Sequence, residues 1–271
     1  MYNYYGTGEK GIMQISAKEI AALLRTLSRT ANKPHFTSAI IAAAGCGSRM
    51  KTSDGKTKQL MELCGMPVIV HTLKAFEECE KINEIIIVTR SDEADIYEKY
   101  KSEYGLTKIS AVVIGGDTRQ ESVLRGFEAI SDKSDFVTIH DGARCLVTPE
   151  IIEKTVRAAY KQRAAAAGHK SEDTVKLCDP DGMIEGTQDR EKVWLVQTPQ
   201  IFMCDVYRVS AYMAKQDEVA VTDDCMMCER LGFDIKIVEC GRENIKLTSP
   251  GDLGLCEAIL TYRKAMKEAS K

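Results

Sequence analysis

Gly45, Gly47, Arg49, Lys51, Lys56 and Lys58 form the first chemically suggestive pattern in this chain, within the run SAIIAAAGCGSRMKTSDGKTKQL of residues 38–60. Glycine has no Cβ, so a turn through Gly45-Cys46-Gly47 lets backbone N–H groups come close to an anion. Successive N–H groups in such a turn form a concave nest for phosphate. The cations just beyond supply the charge that a polyphosphate requires. Residues 39–44, ahead of the turn, have the composition of a buried parallel strand. Two common phosphate loops do not fit. A Walker A loop needs glycine at the sixth position from Gly45, and a dinucleotide fingerprint needs its third glycine there, but Met50 holds that position.

Other clusters have the residue types of a metal or redox site without the spacing. His71, His140 and His169 are not spaced as metal ligands and read as structural. The chain has 10 cysteines; only Cys225 and Cys228 make a C-x-x-C, and the surrounding DDCMMCERLG reads as a helix. With no second pair for zinc and no thioredoxin-like context, buried reduced thiols are the reading, which points to the cytoplasm.

These residues need a scaffold, and the 271-residue chain is long enough for one large α/β domain or two small ones. It is 44% hydrophobic and 28% charged, as a soluble globular protein is. A net charge of −3 gives no basic footprint for nucleic acid. No apolar run approaches membrane-spanning length, and the N-terminus lacks the pattern of a secretory signal. Residues 1–37 read as an extension. Its first part is rich in Tyr and Gly; Ser16 to Glu19 then forms a capping box, and Ile20, Leu23, Leu24 and Leu27 fall on one face of an amphipathic helix.

From residue 38 onward strands and helices alternate. Strands are expected at 84–88, 109–114 and 136–140, and helices at 67–79, 92–104, 119–130 and 149–162. Such alternation means parallel βαβ units with helices on both faces of the sheet. Ligands of such sheets collect beyond the carboxyl ends of the strands. The glycine turn, Gly115-Gly116-Asp117 and the run from Asp141 to Arg144 all sit at such ends. The alternation weakens between residues 173 and 196, where Asp179-Pro180-Asp181-Gly182 is a turn signal between short extended pieces. A β-arm of about residues 174–193 is expected to project there and to pair with a second subunit, because its edges are otherwise open. Helices and strands return at 204–215, 223–231, 234–239 and 250–269.

Separated segments also match one family in order: AAAGCGSRM at 42–50, KQ at 58–59, GGDTRQESV at 115–123, HDGAR at 140–144, EDTVK at 172–176, QTPQIF at 197–202, TDD at 222–224 and NIKLTSPGDL at 244–253. Over about residues 38–262 the chain resembles the 2-C-methyl-D-erythritol 4-phosphate cytidylyltransferases of the non-mevalonate isoprenoid pathway. The resemblance implies a Rossmann-like, mostly parallel sheet of the nucleotidyltransferase type in a domain of residues 38–271. It implies CMP transfer from CTP to 2-C-methyl-D-erythritol 4-phosphate, with Mg²⁺ and a homodimer joined through the β-arm.

By the same resemblance, Arg49 and Lys58 contact the triphosphate and stabilise the transition state. Ala43, Ala44, Gly45 and Gly47 line the cytidine side, and Gly116, Asp117 and Ser122 read base and ribose. Asp141 and Arg144 close the bottom of the pocket. A carboxylate beside a triphosphate must bond a hydroxyl or a metal, so Asp141 is read both as a ligand of the erythritol hydroxyls and as a Mg²⁺ ligand. Thr174, Arg190, Thr198 and Lys246 match the polyol-phosphate side, with Arg190 and Lys246 positioning the attacking phosphate. Two departures stand out. Cys145 replaces the proline usual after the H-D-x-A-R run, and Gly168-His169-Lys170 is more polar than the usual strand there. The nearest rival is the same chemistry on another polyol phosphate such as ribitol 5-phosphate, whose enzymes more often carry L-A-G-G in the first loop. A dinucleotide-dependent oxidoreductase lacks its third glycine here, and Arg49, Lys58, Arg190 and Lys246 together argue against a non-catalytic nucleotide sensor.

Overall fold

A strand buried on both faces has no room for a polar side, and the segments rich in Ile, Val and Ala behave accordingly. The computed structural model of the chain describes residues 34–45 and 57–270. The expected N-terminal helix lies outside the described residues, as do Gly47, Arg49, Lys51 and Lys56. The described chain enters through β1 (Thr37–Ala42) and, after a 3-10 turn at Lys58–Leu60, makes the short β2 (Glu62–Leu63) and β3 (Met66–Pro67). Helix α1 (Val68–Glu78) leads to β4 (Glu84–Thr89), α2 (Ala94–Glu103) to β5 (Ile109–Ile114), and α3 (Arg119–Glu128) to β6 (Phe136–Asp141). Helix α4 (Pro149–Gln162) precedes β7 (Ala164–Lys170). The arm strands β8 (Lys176–Cys178) and β9 (Ile184–Thr187) follow, then a 3-10 turn at Arg190–Lys192 and the long β10 (Trp194–Met203). Helices α5 (Cys204–Gln216) and α6 (Asp224–Arg230), β11 (Lys236–Glu239) and α7 (Pro250–Ala269) come last.

The central sheet has 7 strands in the order β11-β7-β10-β6-β1-β4-β5. Strand β10 runs antiparallel to both neighbours, and the other pairs are parallel. Register assigns the two faces. Thr37 is paired with Phe136 and Ile40 with Ile139, and paired residues point to the same side. Phe136 packs on Tyr160 of α4, with ring centroids 4.8 Å apart, and His140 packs on Phe76 of α1 at 5.0 Å. Ile40 points the other way, onto α3 at Gly126. Helix α5 shares that second face, since Tyr207 lies 4.8 Å from Phe127 of α3. Helices therefore cover both sides, as buried parallel strands demand. Local chemistry sets the helix starts. Thr118 and Glu121 form a reciprocal capping box at α3, and Thr148 accepts from the Ile151 N–H at α4, just ahead of Pro149.

The expected arm is a ribbon of β8 and β9. Its turn is fixed by Asp179, whose carboxylate accepts from the N–H groups of Asp181 and Met183, and by Gly182 at φ +84°. Leu177, Met183 and Ile184 on the ribbon are exposed. Strand β7 reaches Lys170 in spite of its polar end, because His169 and Lys170 lie at the sheet rim and only Ala164 to Gly168 are buried. A second, smaller apolar cluster joins the loop after β6 to the segment leading into α7 and to α7 itself, through Ala143, Cys145, Leu146, Leu247 and Cys256. Cys145, in the position usually held by proline, is buried there with its Sγ 3.9 Å from that of Cys256. The Leu247 N–H donates to the Ala143 carbonyl at 2.9 Å, and Arg263 of α7 donates to the Leu146 carbonyl at 2.8 Å.

Gly126 sets how closely α3 approaches the sheet. A Cβ there would lie 2.7 Å from a methyl of Ile40 and 2.7 Å from a methyl of Val88, both on buried strands. Overpacking of this kind costs about 1–3 kcal/mol, against a helix-propensity gain of roughly 0.5–1 kcal/mol for Gly→Ala. Gly126→Ala should therefore lower the urea midpoint with an unchanged m-value. A raised midpoint would mean that Ile40 and Val88 give way freely.

Candidate functional site

Strand order reverses at β1, with β4 on one side and β6 on the other, and a cleft of about 510 Å³ opens beyond the carboxyl ends there. Ala42, Ala44 and Gly45 form one wall and Gly116 to Arg119 a second, with Asp141, Lys246 and Lys58 among the residues that complete the lining. The residue leading into the second wall, Gly115, is glycine because of close approach. A Cβ on Gly115 would stand 2.5 Å from the Ala44 Cβ and 2.8 Å from the Ser122 hydroxyl. Ser122 is buried, and its hydroxyl accepts from the Gly116 N–H at 3.1 Å. It thus shapes the glycine turn as well as lining the cleft. The Asp117 N–H donates to Glu121 at 2.9 Å, which fixes the turn from outside. Ala43 is buried, and its N–H donates to the Val88 carbonyl.

Asp141, at the end of β6, is the electrostatic centre. Lys246 Nζ stands 2.8 Å from its carboxylate, Arg119 Nε 3.4 Å and Arg144 Nε 3.6 Å. Burial pushes the carboxyl pKa up, but Lys246, Arg119 and Arg144 together outweigh it and hold the group well below the usual carboxylate range. Arg144 forms part of the wall behind the cleft, also donating to the Asn244 carbonyl at 2.8 Å. Lys58 Nζ donates to the Leu247 carbonyl at 2.8 Å, next to Lys246 in the chain.

Beneath Asp141 runs a hydrogen-bond chain. The Asp141 N–H donates to the Thr198 hydroxyl at 3.0 Å, Thr198 bonds His140 Nδ1 at 3.2 Å, and His140 Nε2 bonds the Arg144 carbonyl at 3.3 Å. A carbonyl only accepts, so Nε2 carries the proton, and Nδ1 accepts from Thr198. Thr198, expected on the polyol-phosphate side, thus also bonds the strand end that carries Asp141. Its side chain is buried under the strand end, because antiparallel β10 lies beside β6 and turns this hydroxyl toward the sheet. Thr174 and Arg190 stand exposed on the arm and do not line the cleft of their own chain; Arg190 donates to the Glu172 carbonyl at 3.4 Å.

The structure thus brings together Ala44, Gly45, Lys58, Gly116, Asp117, Ser122, Asp141 and Lys246, with Arg144 behind them. Sequence reasoning missed Arg119, Arg90 and Thr248, which also line the cleft. Arg119 carried a usable signal, since a cation in the first turn of a helix opposes the macrodipole and needs an acidic partner to be stable there. Among the described residues no group of three or more His, Cys, Asp or Glu is placed to hold a metal, and no helix is long and apolar enough to cross a membrane.

The family model described as IspD, 2-C-methyl-D-erythritol 4-phosphate cytidylyltransferase, matches residues 37–262. A protein of that name from Syntrophus aciditrophicus is 41% identical over 223 residues, 82% of this chain and 94% of its own length. Another from Caldanaerobacter subterraneus subsp. tengcongensis is 40% identical over 224 residues, covering 82% and 98% respectively. The crystal structure of 4-diphosphocytidyl-2C-methyl-D-erythritol synthase from Anaerococcus prevotii superposes with a TM-score of 0.76 at 32% identity, over 84% of this chain and 97% of that one.

Burial pushes the His140 imidazole down to about 3. The unfolded ring takes up its proton near pH 6.5 and the folded ring only near pH 3, so stability is full above that window and is lost as pH falls through it. Between pH 6 and 4 the native chain should lose about 1.4 kcal/mol per pH unit more than His140→Gln does. Urea titrations at several pH values measure the difference; parallel profiles would mean that the folded ring is already charged.

Proposed function

Because the chain belongs to the 2-C-methyl-D-erythritol 4-phosphate cytidylyltransferase family, we propose that the cleft between Gly45, Gly116 and Asp141 is where it performs that family's reaction. The enzyme is a nucleotidyltransferase that transfers CMP from CTP to 2-C-methyl-D-erythritol 4-phosphate, giving 4-diphosphocytidyl-2-C-methyl-D-erythritol and pyrophosphate. A phosphate oxygen of the polyol attacks the α-phosphorus of CTP. The new P–O bond forms as the bond to the bridging oxygen of the departing pyrophosphate breaks. Two polyanions meet in this step, so the protein's task is positioning and charge neutralisation, with no covalent nucleophile.

The observation that carries the assignment is the convergence of Lys58 and Lys246. They come from distant segments, yet Lys58 is bonded to the carbonyl of Leu247, beside Lys246, on the rim facing the glycine wall. In our reading both ammonium groups neutralise phosphate charge, with Arg49 joining them. The backbone of Ala43, Ala44, Gly45 and Gly47 holds the cytidine side, and Gly116, Asp117 and Ser122 surround base and ribose. Asp141, ionised and backed by Arg144, receives the erythritol hydroxyls.

The donor set fits a magnesium ion that arrives with the nucleotide. Magnesium commonly takes one or two carboxylates together with substrate phosphates and water. Here Asp141, already faced by Lys246 and two arginines, would be the protein's carboxylate toward such an ion, shared with the substrate phosphates. When bound, the ion would neutralise triphosphate charge.

We further read Thr174 and Arg190 as completing the site of a second copy, in a homodimer joined through the arm. The ribbon is too small to bury a core of its own and exposes Leu177, Met183 and Ile184, which supports such a partner. Residues 38–271 are then the catalytic domain, with residues 1–37 an extension to it. Buried single thiols such as Cys79 and Cys204 suit a reducing compartment, and we place the enzyme in the cytoplasm.

Pyrophosphate release, assayed with CTP and each of 2-C-methyl-D-erythritol 4-phosphate and ribitol 5-phosphate, with and without Mg²⁺, should show preference for the first acceptor and dependence on the ion. Lys58→Ala and Lys246→Ala should each lower kcat by about 10²-fold, the scale of losing one preorganised electrostatic stabiliser. Near-native turnover in either would remove it from the mechanism. Mixing inactive Lys58→Ala and Arg190→Ala proteins should restore part of the activity, because a mixed dimer holds one site with neither defect. No recovery after verified subunit exchange would refute the shared site.

A further inference from the structure

The cations around Asp141 are held in different ways. Arg119 opens α3, and its guanidinium spans two carboxylates, with Nε 3.4 Å from Asp141 and Nη1 2.7 Å from Asp224. The planar fork of arginine suits such bridging. Asp224 is 1% exposed and outside the cleft. Its other oxygen accepts from the buried Tyr207 hydroxyl at 3.3 Å. The Asp224 N–H donates to Gln200 at 3.1 Å, and Gln200 donates in turn to Asp223 at 2.8 Å. Gln200 lies on β10, two positions beyond the Thr198 that holds the Asp141 N–H. The backbone N–H groups of both residues gripped by Arg119 thus donate to side chains of the same strand.

Lys246 differs. It is a single ammonium on a flexible stem, its side chain 37% exposed at the rim, bound to Asp141 at 2.8 Å. An incoming phosphate competes for that ammonium. If Lys246 left, the buried Asp141 would lose its nearest counter-charge, and an uncompensated buried carboxylate is strongly unfavourable.

We propose that Arg119, clamped by buried Asp224, is a positioning residue that keeps Asp141 oriented and charge-balanced while Lys246 transfers from Asp141 to a substrate phosphate. The proposal rests on the reading of this cleft as the cytidylyltransferase site. Arg119 acts through Asp141 and Lys246 and makes no bond to the reacting phosphorus. Lys246 is the cation that moves, and Arg119 is the one that stays.

Arg119→Gln alone strands the Asp224 carboxylate in the interior, so the working protein is the full-length Arg119→Gln/Asp224→Asn double variant, which removes both charges. Steady-state pyrophosphate release should show kcat lowered by about 10²-fold, the scale of an ångström's misplacement of a site group. The KM for CTP should change by less than about threefold, the mark of a group that does not bind ground-state nucleotide. Adding Asp141→Asn to the double variant should leave kcat within about twofold of Asp141→Asn alone, because coupled residues are not additive. Arg119→Lys, which keeps the charge, should recover about tenfold of the loss. A raised KM with unchanged kcat would make Arg119 a nucleotide ligand and overturn the proposal. Losses that multiply with Asp141→Asn would also overturn it. A native enzyme inactive in the same assay would overturn the family reaction at this cleft, and the proposal with it, whereas an active one confines failure to the clamp.

Discussion

A single ionised carboxylate at the end of a central strand governs how this molecule must close. Asp141 is buried, and the groups that compensate it come from the start of α3, the loop after β6 and the segment before α7. Leaving a buried charge without partners costs about 3–5 kcal/mol, a large share of the roughly 5–15 kcal/mol that holds a typical protein folded. The sheet can place Asp141, but cations from α3, from the loop after β6 and from the segment before α7 must gather around it before its charge is balanced. Substrate recognition and chain closure therefore draw on the same charge.

Much of the scaffold is legible in local patterns. The start of α3 follows from Thr118 and Glu121 at capping-box spacing, and that of α4 from Thr148 followed by Pro149. The continuous apolar run of β4 announces a strand covered on both sides. The arm's turn can be read from Asp179-Pro180-Asp181-Gly182. The direction of β10 cannot, because pairing sense is decided by partners remote in the chain. That is why the bond from the Asp141 N–H to the Thr198 hydroxyl cannot be read from the motif that contains Thr198.

The candidate site shows the same division. Gly116 and Lys58 are visible because they fall in segments, GGDTRQESV and KQ, that resemble the family's motifs. Arg119 is hidden, since its meaning lies in Asp141 and Asp224, carboxylates on two other elements. Ser122 is legible as a polar residue at a helix start, but its buried bond to the Gly116 N–H depends on how tightly α3 presses on β1.

The small cluster that unites Ala143, Leu146, Leu247 and Cys256 stands apart from the main core between sheet and helices. Opening it would expose far less apolar surface than opening the sheet, so it belongs to the low-energy end of the molecule's subglobal unfolding ladder. Lys246 and Thr248 flank Leu247, and Asp141 and Arg144 flank the loop it grips. Order in the C-terminal helix and competence of the cleft are therefore coupled through one local equilibrium. Any ligand that bridges those flanks draws on that equilibrium, and amide exchange in α7 becomes a gauge of occupancy in a pocket the helix never enters.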